Sequence, residues 1–412
     1  MERDRGREKK LCVALVHWAF PPCVGGVESH LWDYSRFLAE YGVDVTVLTG
    51  TPAPAVPCQG IRVEYHSALD LSSEGPPPTG EPPLKDWFRK CLMADAGTGG
   101  TAIRLVHGHN LHHFSSAPAC ALSELRDELG LRLLHTYHSV WWRQEGENAR
   151  AVESCRGWDR HYAVSEFLTQ VCRSRLGVNA ECRYLGIDTR EYLEVPVAGG
   201  RQEPGRVLLP ARLIPDKGAM FAVAALRHLI DQKMGHPTPR LTLTDPSSTV
   251  DFHHEASGFR HLLEEQIAVL GLKDYVEFVH ADSSQMRELY EVASVVLYPS
   301  VFDEPMGLAP LEAMCAGRPV VASRMGGLAE GIRLDERVGF LVPERNSHKL
   351  ADRVALLLGQ PGLAREMGAR SREHVLRRFD MERVYLWPMI EEYWHQSAIG
   401  ASGRGGGGTP TV

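Results

Sequence analysis

The sequence predicts an α/β protein with two domains, each built around a parallel sheet. Three observations lead to this fold class. The chain has 412 residues, which is long for a single hydrophobic core. Segments such as VVLYPS (295–300) and VVAS (320–323) are largely apolar, as in strands that are buried on both faces. Segments with helical periodicity separate them, and parallel strands require such connections.

The composition excludes several classes of protein. Hydrophobic residues make up 43% of the chain and charged residues 24%, which is typical of globular proteins. The net charge of −7 argues against a general nucleic-acid-binding protein, because such proteins carry a basic surplus. Nine scattered cysteines without a CxxC pair indicate a reduced, cytoplasmic protein. No apolar run suggests a transmembrane helix, so we expect at most peripheral membrane association, and residues 1–10 are predicted to be a disordered tail.

The first strand is predicted at residues 11–16, followed by a glycine turn and an amphipathic helix. Gly25 and Gly26 lie just ahead of that helix, where backbone N–H groups can contact a phosphate. A tight βα turn without a ligand explains the pair equally well. The second strand is predicted at residues 43–49, and residues 51–100 are rich in loops.

Histidines follow the next two predicted strands, at residues 103–106 and 131–134. His107, His109, His112 and His113 suggest a metal site, but they do not match a helical HExxH motif and no cysteine or carboxylate is adjacent. We therefore interpret them as polar loop residues at a strand end. His138 lies just past the second of these strands, at the edge where α/β sheets bind ligands, although a structural histidine is the simpler explanation.

A polar linker rich in proline and glycine, at residues 194–205, precedes the second half. A strand is predicted at residues 206–210, and Arg212 and Lys217 follow it in a loop. Basic side chains at this place can neutralise a departing diphosphate, whereas a solvated charged pair is the simpler explanation. Further strands are predicted at residues 241–243 and 275–280, and the second of them ends at His280.

Residues 295–323 read as a strand, a polar loop, a short helix that ends at Gly317, and a second strand. Glu304 lies in the loop, and Glu312 lies eight positions later on the helix, pointing the same way as the helix entrance. Gly307 lies where a bare backbone can approach a ligand, at the positive end of the helix dipole. Two carboxylates beside such a helix start predict a ligand with both hydroxyls and phosphates.

The segment EPMGLAPLEAMCAGRPVVAS (304–323) closely resembles the paired-glutamate signature of retaining nucleotide-sugar glycosyltransferases with the GT-B fold, family 4. The resemblance extends from about residue 11 to about residue 394. It implies two Rossmann-like domains that face each other across an interdomain cleft, and a C-terminal helix that crosses back to the N-terminal domain. We therefore expect an acceptor-binding domain at 11–193, a linker at 194–205, a nucleotide-sugar-binding domain at 206–380, the crossing helix at 381–396 and a disordered Gly-rich tail at 397–412.

The resemblance also implies roles for individual residues. Glu312 would bind the ribose hydroxyls, and Glu304 would bind hydroxyls of the transferred sugar. Arg212 and Lys217 match the family's R-x4-K segment, and His138 matches its Thr/Ser-x-His segment and would contact the donor sugar. The predicted catalytic residues are Glu304, His138, Arg212 and Lys217, and the predicted donor-binding residues are Gly25, Gly26, Arg212, Lys217, His280, Glu304, Met306, Gly307, Leu308 and Glu312. Where many relatives have a Gly-x-Gly turn, this chain has TDPSSTVDFHHEASG (244–258), which suggests a modified nucleotide-side pocket.

The implied function is transfer of a sugar from a nucleoside diphosphate sugar, with UDP favoured, to a hydroxyl acceptor with retention of configuration. Neither a metal nor another cofactor is expected, and the acceptor is a small molecule, a glycan or a lipid-linked compound. The nearest competing hypothesis is an inverting transferase in which His17 or His138 acts as the base. An epimerase or phosphorylase of the same fold and an inactive sugar-nucleotide sensor also compete with it. The intact set of acidic and basic site residues argues against the sensor.

Overall fold

Two parallel β-sheets lie at the centres of the two halves of the chain. The computed structural model describes residues 10–23, 25–52, 60–71, 80–94, 101–140, 146–197, 201–232, 237–245, 258–281, 283–332 and 336–402. Within these residues the first sheet has seven strands and the second has six. We call the parts around the first and second sheets the N-terminal half and the C-terminal half.

The first sheet follows the predicted pattern of buried strands joined by helices. Its strands are β1 (Cys12–His17), β2 (Asp44–Thr49), β3 (Ile61–Tyr65), β4 (Leu105–His109), β5 (Arg132–Tyr137), β6 (Arg160–Ala163) and β7 (Glu181–Cys182). Its helices are α1 (Gly26–Glu40), α2 (Leu84–Met93), α3 (Ala117–Leu129), α4 (Glu147–Arg156) and α5 (Glu166–Val171). The strand order is β3-β2-β1-β4-β5-β6-β7, so the sheet grows in opposite directions on either side of the β1–β4 pair.

The second sheet repeats this plan. Its strands are β8 (Arg206–Leu209), β9 (Arg240–Thr244), β10 (Val276–Val279), β11 (Val295–Tyr298), β12 (Val320–Ser323) and β13 (Phe340–Val342). Its helices are α6 (Ala219–Asp231), α7 (Phe259–Val269), α8 (Ser283–Val292), α9 (Leu308–Cys315), α10 (Leu328–Ile332), α11 (Ser347–Gly359) and α12 (Pro361–Arg378). The order β10-β9-β8-β11-β12-β13 reverses between β8 and β11, where Val295 lies opposite Val207.

The chain then returns to the N-terminal half through a π-helical turn, Met381–Leu386, and the last helix, α13 (Trp387–Ser402). The buried hydroxyl of Tyr34 in α1 donates to the Tyr393 hydroxyl at 2.9 Å, and His107 Nδ1 in β4 lies 2.6 Å from the same hydroxyl. The helix continues past its predicted end at residue 396, because residues 397–402 contain no proline that would stop it. None of the helices that the structure describes combines the length and apolar character needed to cross a bilayer.

The fold class predicted from the sequence is confirmed, and two local predictions need correction. The region 51–100, which was predicted to be rich in loops, contains β3 and α2. Strand β4 begins later than predicted and continues through His107 to His109, so both histidines are strand residues rather than loop residues. The strand accommodates them because both ring nitrogens of His107 and Nδ1 of His109 find hydrogen-bond partners inside the protein.

Candidate active site

A large cleft opens between the carboxyl ends of the two sheets. Its volume is about 1930 Å³, and both halves contribute to its lining. It lies where the strand order of each sheet reverses, which is where open α/β sheets bind ligands. Among the residues that the structure describes, it brings together all predicted site residues except His280, namely Gly25, Gly26, His138, Arg212, Lys217, Glu304, Met306, Gly307, Leu308 and Glu312.

Lys217 and Glu304 form a buried ion pair on the C-terminal side of the cleft. Lys217 Nζ lies 2.6 Å from Glu304 Oε1, and the two side chains are 10% and 5% exposed. Burial lowers the pKa of Lys217, the charge of Glu304 raises it, and the nearby charge of Arg212 lowers it again. An anionic ligand in the cleft would therefore give Lys217 a second partner and would offset the electrostatic repulsion between Lys217 and Arg212.

The loop that carries Lys217 is hydrogen-bonded to the loop that leads to Glu304. The carbonyl oxygen of Asp216 accepts hydrogen bonds from Ser300 Oγ at 3.0 Å and from the Val301 amide at 2.9 Å. Gly218 ends the first loop with φ of 73°, and a Cβ at this position would lie 1.9 Å from the carbonyl oxygen of Pro299. The loops after β8 and β11 therefore hold the ion pair as a unit.

Glu312 lies on the face of α9 that lines the cleft, and its carboxylate is hydrogen-bonded to a tyrosine. The hydroxyl of Tyr290 donates to Glu312 Oε2 at 2.9 Å. Burial raises the pKa of Glu312 to about 7, the hydrogen bond from Tyr290 opposes this shift, and the charge of Glu191 adds to it. The carboxyl group is thus poised between its two protonation states near neutral pH, and hydroxyl donors from a ligand would favour ionisation.

The start of α9 forms the floor between these two carboxylates. Gly307 precedes the helix with φ of 86°, in the left-handed region that favours glycine. The N-cap residue of α9, Gly307, has no side chain with which to cap the first turn, and Leu308 and Ala309 in that turn line the cleft. Uncapped N–H groups at a helix start favour an anion. Met306 is buried beside this turn.

His17 and Glu28 form a second buried pair, on the N-terminal side of the cleft. His17 Nδ1 donates to the carbonyl oxygen of His109 at 2.8 Å, and His17 Nε2 lies 3.1 Å from Glu28 Oε1. Because the carbonyl can only accept, the proton on Nδ1 is assigned, and a second proton must lie between Nε2 and the carboxylate. Gly25 and Gly26 begin α1 beside this pair, and a Cβ at Gly25 would lie 2.2 Å from Glu28 Oε2.

His138 follows β5 and faces the cleft. Its Nε2 lies 2.9 Å from His109 Nδ1, and its backbone N–H donates to Asn110 Oδ1 at 2.7 Å. Its Nδ1 has no hydrogen-bond partner among the residues that the structure describes. Burial and the neighbouring histidines lower the pKa of His138, so the imidazole is neutral at physiological pH.

The other histidines after the predicted strands pack inside the N-terminal half, and His113 among them also lines the cleft. His107, His109, His112 and His113 are all buried, and His107 Nε2 lies 2.7 Å from Thr136 Oγ1. Within the described part of the chain, no three histidine, cysteine or acidic side chains are grouped so as to hold a metal ion.

The structure does not bring His280 to the cleft. The residue follows β10, the edge strand of the second sheet, and its side chain is exposed, whereas the next residue, Ala281, lines the cleft. Side chains alternate in direction along an extended segment, so a shift of one residue decides which one faces the ligand. The segment 246–257, where the predicted departure from the Gly-x-Gly turn falls, lies outside the described residues.

Sequence reasoning missed two cleft residues. Tyr290 in α8 gave no sequence signal, because only the packing of α8 against α9 shows that its hydroxyl reaches Glu312. Asp33 lies in α1, seven residues after Gly26 and therefore on nearly the same helix face, which could have identified it. Burial raises the pKa of Asp33 to about 8, and the charge of Glu191 adds to the shift.

Two facing parallel sheets, the cleft between them and a C-terminal helix that crosses back define a GT-B protein. The model of Glycosyltransferase Family 4 matches residues 24–191, and that of Glycosyl transferases group 1 matches residues 196–374. A D-inositol 3-phosphate glycosyltransferase from Corynebacterium glutamicum is 31% identical over 406 residues, with 88% of each chain covered. The chain belongs to this family of group 1, family 4 glycosyltransferases.

Two further similarities agree with this assignment. A glycogen synthase from Mycobacterium tuberculosis is 27% identical over 407 residues, which cover 90% of this chain and 92% of that protein. The structure of HepE from Anabaena in complex with UDP and glucose superposes with a TM-score of 0.71 at 19% identity, covering 93% of this chain and 99% of that one. The last similarity concerns the fold alone.

Proposed function

We propose that the protein transfers a sugar from a UDP-sugar to a hydroxyl acceptor, with retention of the anomeric configuration and without a metal. The observation that carries this proposal is the buried Lys217–Glu304 pair, which shares one cleft with Arg212 and Glu312. Cations and carboxylates placed together suit a ligand that has phosphates and hydroxyls at the same time. The complex of HepE with UDP and glucose supports the choice of UDP as the nucleotide.

In this proposal the donor lies along the C-terminal wall of the cleft. Glu312 accepts hydrogen bonds from the ribose hydroxyls, and Glu304 accepts them from the transferred sugar. Between them, Arg212 and Lys217 face the diphosphate, together with the uncapped first turn of α9. Buried acceptors discriminate strongly against analogues without the matching hydroxyl, because the acceptors are then left unpaired.

The chemical step breaks the bond between the anomeric carbon and the phosphate oxygen and forms a bond to the acceptor oxygen. Positive charge develops on the sugar and negative charge on the departing UDP. Lys217 and Arg212 stabilise the departing anion, and the first turn of α9 adds to their effect. The leaving phosphate oxygen takes the proton of the acceptor hydroxyl on the same face of the sugar, so retention needs no protein base.

An inverting reaction is the second candidate, and the geometry of the histidines bears on it. His17 uses both ring nitrogens, one for a carbonyl and one for Glu28, so neither nitrogen is free to take a proton from an acceptor. His138 keeps Nδ1 without a partner in the described part of the protein and lines the cleft. If the reaction inverts the configuration, His138 is therefore the residue to assign as the base.

The acceptor is proposed only as a hydroxyl compound. Two similar proteins carry names with different acceptors, a glycogen synthase and a D-inositol 3-phosphate glycosyltransferase. The acceptor would enter from the N-terminal side of the cleft, beside His138 and the residues of α1 that line it.

Calorimetric titration with UDP, GDP and ADP, followed by titration with the matching nucleotide sugars, tests the donor assignment. We expect UDP to bind and Lys217→Ala to weaken that binding, while GDP and ADP bind at least about tenfold more weakly. The coupling constant of the anomeric proton in the isolated product then reports the stereochemistry. An inverted product would replace retention by the His138 mechanism, and loss of activity in EDTA would contradict metal independence.

A further inference from the structure

The loop that carries Glu304 is enclosed by both halves of the protein. From the C-terminal half, the amide of Gly327 donates to the carbonyl oxygen of Glu304 at 2.7 Å. From the N-terminal half, the hydroxyl of Ser165 donates to the carbonyl oxygen of Pro305 at 2.6 Å. Two consecutive carbonyls beside the expected sugar site are therefore held by different halves of the molecule.

The turn after β12 packs so closely against the Glu304 loop that a side chain at either of its two glycines would clash with the loop. A Cβ at Gly326 would lie 2.4 Å from the carbonyl oxygen of Glu304. A Cβ at Gly327 would lie 2.0 Å from the carbonyl oxygen of Pro305 and 2.7 Å from Ser165 Oγ. The obstructing carbonyls are backbone atoms that cannot rotate away, so the turn after β12 requires glycine at both positions.

Glu330, one turn further along, joins the halves a second time. Its Oε1 accepts the amide of Phe167 at 2.7 Å, and its Oε2 accepts the amide of Glu166 at 2.9 Å. These amides belong to the first turn of α5, where no intrahelical acceptor exists and a negative charge is favoured. The hydroxyl of Tyr184 donates to Glu330 Oε2 at 2.8 Å. One carboxylate of the C-terminal half thus caps a helix of the N-terminal half.

Ser165 combines the two sets of contacts. Its Oγ accepts the amide of Leu168 at 3.1 Å as the N-cap of α5, and the same hydroxyl donates to Pro305. Ser165 is completely buried, and the neighbouring Leu185 amide lies 3.3 Å from Met306 Sδ. The start of α5 therefore contacts residues directly after Glu304 and, through Glu330, the turn that supports Glu304.

We propose that Ser165 and Glu330 are positioning residues, which hold the Glu304 loop against the N-terminal half. The binding of the donor sugar by Glu304 then depends on contact between the two halves. We call this pair the interdomain clamp. The inference rests on the proposed function for its catalytic consequence, because Glu304 contacts the sugar only in that proposal. The clamp itself is a property of the ligand-free protein.

The clamp predicts that sugar transfer suffers more than nucleotide binding. In Glu330→Gln, the single amide oxygen can take the place of only one carboxylate oxygen, so the N–H of either Glu166 or Phe167 faces an NH2 group that cannot accept it. In Ser165→Ala the donor to Pro305 is lost. We expect kcat to fall about 10- to 100-fold in each variant, because small displacements of a site loop have effects of this size. The Kd of UDP, which the Arg212, Lys217 and Glu312 side chains govern, should change less than about threefold.

Matched variants separate positioning from general destabilisation. Ser165→Thr keeps a hydroxyl that can cap α5 and reach Pro305, so it should recover most of the activity lost in Ser165→Ala. Ser174→Ala removes another serine from the helical segment after α5, whose hydroxyl donates to the Val171 carbonyl, and it should leave kcat unchanged. Glu373→Gln removes an exposed carboxylate of the C-terminal half and serves as the control for Glu330→Gln.

Hydrogen–deuterium exchange on the free protein tests the clamp without any reaction. We expect the amides of residues 166, 167, 304, 306 and 307 to exchange faster in Glu330→Gln than in the wild type or Glu373→Gln. Unchanged exchange in Glu330→Gln would overturn the clamp. A drop in kcat that is matched by an equal loss of UDP affinity in Ser165→Ala would reduce the pair to a structural role. If the wild type binds no UDP, the proposed function fails while the exchange result still decides the clamp.

Discussion

The two sheets share a topology but differ in what their central strands bury. In the C-terminal half, β8, β11 and β12 are almost entirely apolar: the one charged residue in them is Arg206, at the start of β8, and the charged site residues follow the strands. In the N-terminal half, His107, His109 and His135 lie inside β4 and β5 and are fully buried. The histidines that line the cleft, His17, His113 and His138, lie at the end of a strand or after it. Position relative to the strand end thus separates site residues from structural ones.

The largest expected effect concerns the C-terminal wall. In Lys217→Met, we expect kcat to fall about 100- to 1000-fold, because the proposed function assigns this cation to the departing diphosphate and the variant removes it. The single variant also leaves Glu304 as a buried, unpaired carboxylate, which destabilises the protein. Steady-state kinetics and thermal unfolding of the purified variant measure both effects.

A double variant separates these two effects. Lys217→Met combined with Glu304→Gln should recover the Tm, since no buried charge is left without a partner, yet it should remain as inactive as the single variant. Lys349→Ala, which removes an exposed lysine of the same half, is the control. Recovery of activity together with the Tm would show that Lys217 serves only to neutralise Glu304.

The site in the C-terminal half could be predicted from sequence because its residues follow continuous apolar strands. Arg212, Glu304 and Glu312 occur at fixed distances from such strands, so the sheet edge on which they lie is determined. The histidines of β4 could not be placed in this way, because a polar residue inside a strand looks like the end of the strand. The partner that makes His107 compatible with the interior, Tyr393, lies 286 residues away in α13. Tertiary contacts of that range leave no local pattern.

The second prediction uses the pH dependence of donor binding to distinguish the C-terminal wall of the cleft from the N-terminal wall. Burial raises the pKa of Glu312 to about 7 in the free protein, whereas a ligand that donates hydroxyl hydrogens needs the ionised form. The affinity for the donor should therefore rise up to about tenfold per pH unit as the pH increases towards 7, and level off above it. Calorimetry with UDP-glucose between pH 5.5 and 8.5 measures this, because its phosphates do not titrate in that range.

Two variants assign the proton that this binding releases. Glu312→Gln should bind more weakly, with an affinity that no longer depends on pH through this group. Asp33→Asn removes a second cleft carboxyl whose pKa is raised, to about 8, and should keep the slope below pH 7. A slope that persists in Glu312→Gln but vanishes in Asp33→Asn would move the effect to the N-terminal wall.

The smallest effect on catalysis is expected for His107→Leu, a substitution inside strand β4 of the N-terminal sheet. The free energy of unfolding should fall by about 1–3 kcal/mol, because Thr136 Oγ1 and the Tyr393 hydroxyl each lose their hydrogen bond to His107. Burial lowers the pKa of His107 to about 3, so no charge is removed at neutral pH. Thermal unfolding should show this loss while kcat/KM stays within about twofold at a temperature where the variant is folded, and His261→Leu, on the exposed face of α7, should change neither. Strand β4 runs directly beneath the cleft. A large fall in kcat/KM without a loss of stability would therefore mean that histidines inside the strand act on the ligand. The strand end would then not be the boundary between structural and functional residues.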